Sequence, residues 1–173
     1  MFWEIRNIKT DVQAVKDWIN LFFPTGMYKN RIIAFINEDG SYSLTAQDGT
    51  PTALGMAVAG MKEVIRNDEY ENNYYMFGQN DYFGRPCLCP KCIEGAKKYT
   101  DAGIMIRFIN ALADNIAQFV AEEGIDREVS IVMFAYQYSS YAPVKKNAAG
   151  EYEVTDPSCK LRDNVVVRLA PIN

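Results

Sequence analysis

The side chains best suited to chemistry lie close together in the sequence. Gln79-Asn80-Asp81 follows the apolar, aromatic run Tyr74-Tyr75-Met76-Phe77, and Cys87, Cys89 and Cys92 come shortly after. The apolar run reads as a buried strand, so the three polar residues fall where a strand gives way to a loop. In α/β proteins, ligands and catalytic groups gather at such points. Asp81 is the candidate catalytic residue, acting as general acid or as a substrate-positioning carboxylate. The structural alternative is an Asp that caps the loop after the strand. Gln79 and Asn80 supply amides that suit substrate hydroxyls.

No histidine is present. That excludes a Ser-His-Asp triad, a Cys-His pair and any His-ligated metal. Acid–base work must fall to Asp, Glu, Tyr, Lys or Cys. Glycoside hydrolysis usually needs two carboxylates about 5–9 Å apart, and Asp81 is the one well-placed acid. The strand ends at Tyr136-Gln137-Tyr138 and at Arg168 carry no carboxylate. They suit sugar binding instead: aromatic rings stack on a pyranose, amides bond hydroxyls, and arginine grips a carboxylate. Asp163 lies at the start of its strand, on the wrong face. The chain alone is therefore expected to be inactive, with any second catalytic carboxylate beyond Asn173.

The cysteines leave three readings open. Cys87, Cys89 and Cys92, with Cys159 or Asp81 as fourth ligand, have spacing tight enough for a structural zinc that fixes the loop carrying Asp81. One local pair would form a disulfide in an oxidising compartment. Otherwise the thiols simply pack the loop. The double CxxC pattern of a strong zinc signature is missing. No cofactor is required for chemistry; the one candidate is the structural zinc of the first reading.

At 173 residues and 49% hydrophobic, the chain suits one domain with a substantial core. Its formal net charge of −4, with no basic patch, argues against nucleic acid as a partner. No apolar run approaches the roughly 20 residues of a membrane span. Met1 to Thr10 lacks the basic start and apolar stretch of a signal peptide. The chain reads as soluble.

Periodicity supplies the elements that must position these groups. Thr10 caps a helix with Val12, Val15, Trp18, Ile19 and Phe22 on one face. Arg31 to Asn37 is a strand buried on both faces, Glu38-Asp39-Gly40 a turn, and Ser41 to Gly49 a loop or irregular hairpin. Thr50-Pro51 starts a helix, striped by Leu54, Ala57, Val58, Met61, Val64 and Ile65, in which Gly55 and Gly60 allow close packing. Ile93 to Tyr99 is a short helix, and Thr100 or Asp101 caps the next. That helix carries Met105, Phe108, Ile109, Leu112, Ile116, Phe119 and Val120 on one side and ends at Gly124. Strands follow at Glu128 to Tyr136 and Asn164 to Ala170, separated by a polar loop, Lys145 to Ser158, that is expected to be mobile. Helices alternating with apolar strands imply an α/β fold with parallel pairing.

Several blocks in order resemble a known family. They are Phe77-Gly78-Gln79-Asn80-Asp81, the Cys87-x-Cys89-x-x-Cys92 spacing, Arg107 to Ala113, Ala135-Tyr136-Gln137-Tyr138, and Arg162 to Leu169. Together they resemble the bacterial domain of unknown function 4838, from about Leu54 to Asn173. That family looks like the barrel glycoside hydrolases, with alpha-glucuronidases as a distant comparison. The resemblance implies a single α/β domain over 1–173, excerpted from a larger (β/α)8 TIM barrel of a carbohydrate-active protein. Full-length relatives would then be secreted or periplasmic. Phe77 to Asp81, Ala135 to Tyr138 and Arg168 to Asn173 would sit at successive strand ends on the catalytic face. Competing expectations are a non-catalytic carbohydrate-binding domain and a zinc-stabilised domain of structural assembly. An excised barrel segment should also self-associate through its exposed sheet edges.

Overall fold

A computed structural model of the chain describes residues 42–46, 49–78 and 90–170, apart from the side chain of Lys91. The expected helix at Val12 to Phe22, the strand at Arg31 to Asn37 and the turn at Glu38-Asp39-Gly40 lie outside the described residues. So do Gln79, Asn80, Asp81, Cys87 and Cys89.

The first helix, α1 (Ala53–Arg66), is capped by Thr52 rather than by Thr50. The Thr52 hydroxyl accepts a hydrogen bond from the Gly55 amide (3.1 Å) and donates one to the Ser43 carbonyl (2.6 Å). One buried side chain thus satisfies a helix-end amide and anchors the preceding strand-like turn, where Thr45 bridges to Pro51. Of the loop or irregular hairpin expected at Ser41 to Gly49, the described part forms this isolated bridge. Gly55 is needed for the same contact, because a Cβ there would run into the Leu44 carbonyl oxygen. Gly60, by contrast, faces open space. Leu54, Ala57, Val58, Met61 and Ile65 are buried, while Val64 leaves the stripe and is exposed.

Strand β1 (Tyr74–Met76) leads towards α2 (Pro90–Glu122), which breaks at Thr100. Thr100 has φ +67° and ψ 166°, and its hydroxyl accepts from the Gly103 amide at 3.1 Å. The break is therefore an N-cap, and the short helix followed by a Thr100-capped one matches the sequence pattern. The C-terminal end closes on Gly124 at φ +64°, with Gly124 N–H donating to Ala121 and Ile125 N–H to Val120. This paired bonding occupies carbonyls that would otherwise be left open.

Strands β2 (Ser130–Ala135) and β5 (Val165–Leu169) complete a parallel sheet in the order β1-β2-β5. Ile131 pairs with Tyr75 on one side and Val165 on the other. Tyr75, Ile131, Met133 and Val165 point to one face, where Ile106, Ile109, Leu112, Ile116 and Phe119 of α2 and the α1 stripe cover them. Burying each such aliphatic contributes about 1.5–3 kcal/mol. The opposite face carries the row Met76, Val132 and Val166. Met76 and Val166 are exposed there, as is Tyr74, so β1 is buried on one face and not on both.

The crossover from β2 to β5 holds no α-helix. The stretch expected to be a mobile loop contains an antiparallel hairpin, β3 (Val144–Lys146) with β4 (Tyr152–Val154). A 3-10 turn at Pro157–Cys159 follows it. Asn147 fixes the hairpin tip by accepting from the amides of Ala149 and Glu151. Asn110, almost fully buried on α2, holds the crossover in place. Its amide donates to the carbonyls of Ser158 (3.3 Å) and Lys160 (2.7 Å), and its oxygen accepts from the Arg162 amide (3.1 Å). Arg162 in turn grips Asp114 with two bonds, and Asn164 donates to the Ala113 carbonyl.

By length and apolar content alone, the stretch Cys92–Glu122 is long enough to cross a membrane, although it is interrupted at Thr100. In this fold its apolar side packs against α1 and the sheet, and its other side carries Arg107 and Asp114. The described residues form an open sheet; no closed barrel is present among them.

Candidate functional site at the C-terminal edge of the sheet

Three parallel strands running the same way bring their C-terminal ends to one edge. β1 runs out into Phe77 and Gly78, β2 into Tyr136-Gln137-Tyr138, and β5 into Arg168, Leu169 and Ala170. The Phe77 amide still donates to Val132 and the Ala170 amide to Ala135, so pairing continues to the rim. Phe77 stacks in a tilted contact on Phe108 of α2, with ring centroids 5.6 Å apart. Gly78 lies beside Phe134; a Cβ there would come 3.7 Å from that ring.

Arg168 pairs across the strands with Phe134, and its guanidinium lies over the Phe134 ring, 5.8 Å from the centroid. The arginine is exposed. No carboxylate among the described residues pairs with it, and the ring contact is what its guanidinium makes there. A planar donor held on an aromatic platform is suited to a carboxylate or to ring hydroxyls of a ligand.

Beyond Ala135 the backbone turns sharply. Tyr136 is extended, and Gln137 adopts φ +50°, the left-handed region that non-glycine residues rarely occupy. This conformation costs about 1–2 kcal/mol. Buried Ser139 fixes the turn: its hydroxyl accepts from the Tyr136 amide (3.2 Å) and faces the Tyr136 carbonyl at 2.9 Å. Ser139 N–H also donates to that carbonyl, and Ser140 bonds the Gln137 carbonyl through both its amide (3.1 Å) and its hydroxyl (2.6 Å). The Gln137 side-chain amide donates to the Tyr136 hydroxyl at 3.0 Å.

Tyr138 is half-buried, and its hydroxyl makes no hydrogen bond to a described residue. Burial, reinforced by the Asp101 carboxylate, pushes its pKa up to about 12. It therefore stays protonated across the working pH range and serves as a donor.

Of the residues singled out from sequence, Tyr136, Gln137, Tyr138 and Arg168 share this edge. Asp81, Gln79 and Asn80 follow Gly78 in the chain and lie outside the described residues, so the proposed catalytic geometry is not on view. Phe134 and Ser139 were not anticipated. The period of two along β2, once its register with β5 is known, selects Phe134 as the ring beneath Arg168. No sequence signal distinguishes Ser139 from the serine beside it.

Cys92 and Cys159 are both buried, and Cys159 is a free thiol. Burial raises the pKa of Cys159, and its sulfur lies 3.9 Å from the Gly103 carbonyl. Arg107 sits near this thiol, and its guanidinium lies over the rings of Tyr99 (4.0 Å) and Tyr42 (5.6 Å). Among the described residues no group of three metal-ligating side chains converges. The four-cysteine set cannot be assembled there because Cys87 and Cys89 are not among them.

These features define an α/β protein with a parallel three-stranded sheet and a polar, aromatic C-terminal rim. The chain belongs to the family described as Domain of unknown function (DUF4838), which matches residues 49–173. Comparison with curated proteins and with solved structures gave no match.

Proposed function

We propose that this chain is a glycoside-hydrolase-like, carbohydrate-active segment of a TIM-type barrel that binds or acts on a poly- or oligosaccharide, with an acidic sugar preferred. The observation that carries the reading is the exposed Arg168 on the Phe134 ring, at the same edge as Tyr136, Gln137 and Tyr138. Strand C-terminal ends are where barrel enzymes of this class hold their substrates. Asp81, three residues beyond Gly78, is the carboxylate the reading assigns to chemistry. Cys87, Cys89, Cys92 and Cys159 are assigned to support of the intervening loop, by zinc or by packing. Self-association is assigned to the outer edges of β1 and β5, the end strands of the sheet among the described residues.

The test is a panel of neutral and acidic oligosaccharides scored for both binding and release of reducing ends. Binding with release that Asp81→Asn abolishes, without loss of fold, supports an enzyme. Binding with no release by any form supports a non-catalytic carbohydrate-binding domain. No binding at all removes the carbohydrate reading and leaves a structural assembly domain, for which zinc content and oligomeric state become the informative measurements.

A further inference from the structure

The hairpin β3–β4 is rooted at the same end of the molecule as the C-terminal rim. It leaves the sheet through the Gln137–Ser139 turn that follows β2. Helix α2 runs opposite to the strands, since its Gly124 end leads into the start of β2, so its Thr100 cap lies towards the rim. One turn into that helix, Gly103 makes room for the hairpin's root: a Cβ there would meet Pro143 at 3.3 Å and the Cys159 sulfur at 3.0 Å. Thr155 closes the root, its amide (2.8 Å) and its hydroxyl (3.1 Å) both donating to the Pro143 carbonyl.

The register sorts the hairpin's charges. Lys145 faces Glu153 and pairs with it at 3.5 Å. Lys146 faces Tyr152, and its ammonium lies over that ring, 5.3 Å from the centroid. No carboxylate among the described residues pairs with Lys146. The rim repeats this arrangement, because Arg168 and Phe134 are also cross-strand partners with the cation over the ring. Cross-strand pairs stabilise a sheet by about 0.2–1 kcal/mol. A ring serving only that end gains by being buried, yet Tyr152 stays 71% exposed, so the lysine covers one face of it at most.

We propose that the hairpin is a second, outlying subsite for an acidic saccharide chain whose first contact is made at the rim. A pyranose of that chain stacks its apolar face on the open side of Tyr152, and the Lys146 ammonium meets its carboxylate. The occupant is anionic because both places offer a ring with an adjoining cation that no described carboxylate neutralises. The inference rests on the carbohydrate reading of the rim and adds that the substrate is a chain with acidic units at intervals, not a single sugar.

Calorimetric titration of oligogalacturonates of increasing length into the wild type, Tyr152→Ala and Lys146→Gln tests this, with thermal melting and sedimentation of each protein. The wild type should gain at least about tenfold in affinity between the shortest and the longest member, because the second contact is tethered to the first. Both variants should lose that gain, keep wild-type affinity for the shortest member, and melt close to the wild type, since neither residue belongs to the core. A wild type with no gain, or variants that keep it, overturns the proposal and leaves the rim reading intact. Equal losses for short and long members also overturn it, because the hairpin would then support the rim. So does a change in sedimentation without a change in affinity, which would assign Tyr152 to a contact between copies. If the wild type binds no member of the series, the acidic reading of the rim and the inference fail together.

Discussion

At the N-terminal end of the sheet, polar groups answer one another. Asp68 accepts from the amides of Tyr70 and Asn72, from the Asn72 side chain, and from the Tyr75 hydroxyl at 2.6 Å. Arg127 donates to the Asn72 carbonyl and to the same Tyr75 hydroxyl at 2.7 Å. The cluster ties the loop after α1 to the loop before β2. At the C-terminal end the arrangement differs. Gln137 is strained, Tyr138 keeps its proton without a described acceptor, and Arg168 faces outward over a ring. One end uses its polar atoms to hold the fold; the other holds donors open at a cost in stability. In parallel α/β sheets that asymmetry separates the stabilising end from the ligand-binding end.

The sharpest way to break the comparison is Arg168→Ala. With no ion pair to a described residue to lose, it should leave the denaturation midpoint within the range of a surface change, about 0.5 kcal/mol. Ligand affinity should fall at least about tenfold. Denaturant unfolding followed by titration measures both. A large loss of stability with unchanged affinity would place Arg168 with the structural end.

Asn110→Ala tests the support beneath the edge rather than the edge itself. The exchange strands the carbonyls of Ser158 and Lys160 and the amide of Arg162, in a setting where leaving buried groups unpaired costs about 1–3 kcal/mol. Equilibrium unfolding should show that loss, and hydrogen exchange should show it concentrated in the β2–β5 crossover. Tyr75→Phe should cost less, about 1 kcal/mol, since the ring remains buried and only the hydroxyl bonds are lost. It should not change ligand affinity.

The smallest expected effect is a pH dependence. The hydrogen bond from Tyr75, followed by those from Asn72 and Tyr70, holds the Asp68 carboxyl down at about 2, against an ordinary 3.8. A depressed acid stabilises the fold above its unfolded value and loses that contribution as the pH falls through the folded one. Stability should therefore decline between about pH 4 and 2, and the Asp68 part of the decline should shrink in Tyr75→Phe. An acid-unfolding curve identical in the two proteins would refute the assignment.

Much of this fold was legible because its signals are local. The break at Thr100 and the stop at Gly124 follow from capping chemistry, and Ile109, Leu112, Ile116 and Phe119 follow from period, whereas Met105, Phe108 and Val120 of the expected stripe are only partly buried and Ile106 and Ala113 join the core instead. The hairpin at Val144–Val154 was hidden because its strands are only three residues long and exposed throughout, too short for alternation to mark them. Thr52 outranked Thr50 as the cap because of its bond to the Ser43 carbonyl, a contact that helix-start chemistry does not encode. For the site, Tyr136, Gln137, Tyr138 and Arg168 were legible from where their strands end. Phe134 beneath Arg168 required the register between β2 and β5, and the strain at Gln137 required the backbone. The paired presence of the 107–113 and 162–169 blocks also has a physical explanation. Asn110 bonds to Arg162, Asp114 just beyond the first block grips the same arginine, and Asn164 bonds to Ala113.

The most direct test of the central claim is calorimetric titration of one acidic and one neutral oligosaccharide series into the wild type, Arg168→Ala and Tyr75→Phe. Carbohydrate recognition at the C-terminal edge predicts that the wild type and Tyr75→Phe bind alike, the acidic series more tightly, and that Arg168→Ala loses that preference. Equal binding by all three proteins, or a loss confined to Tyr75→Phe, would contradict it.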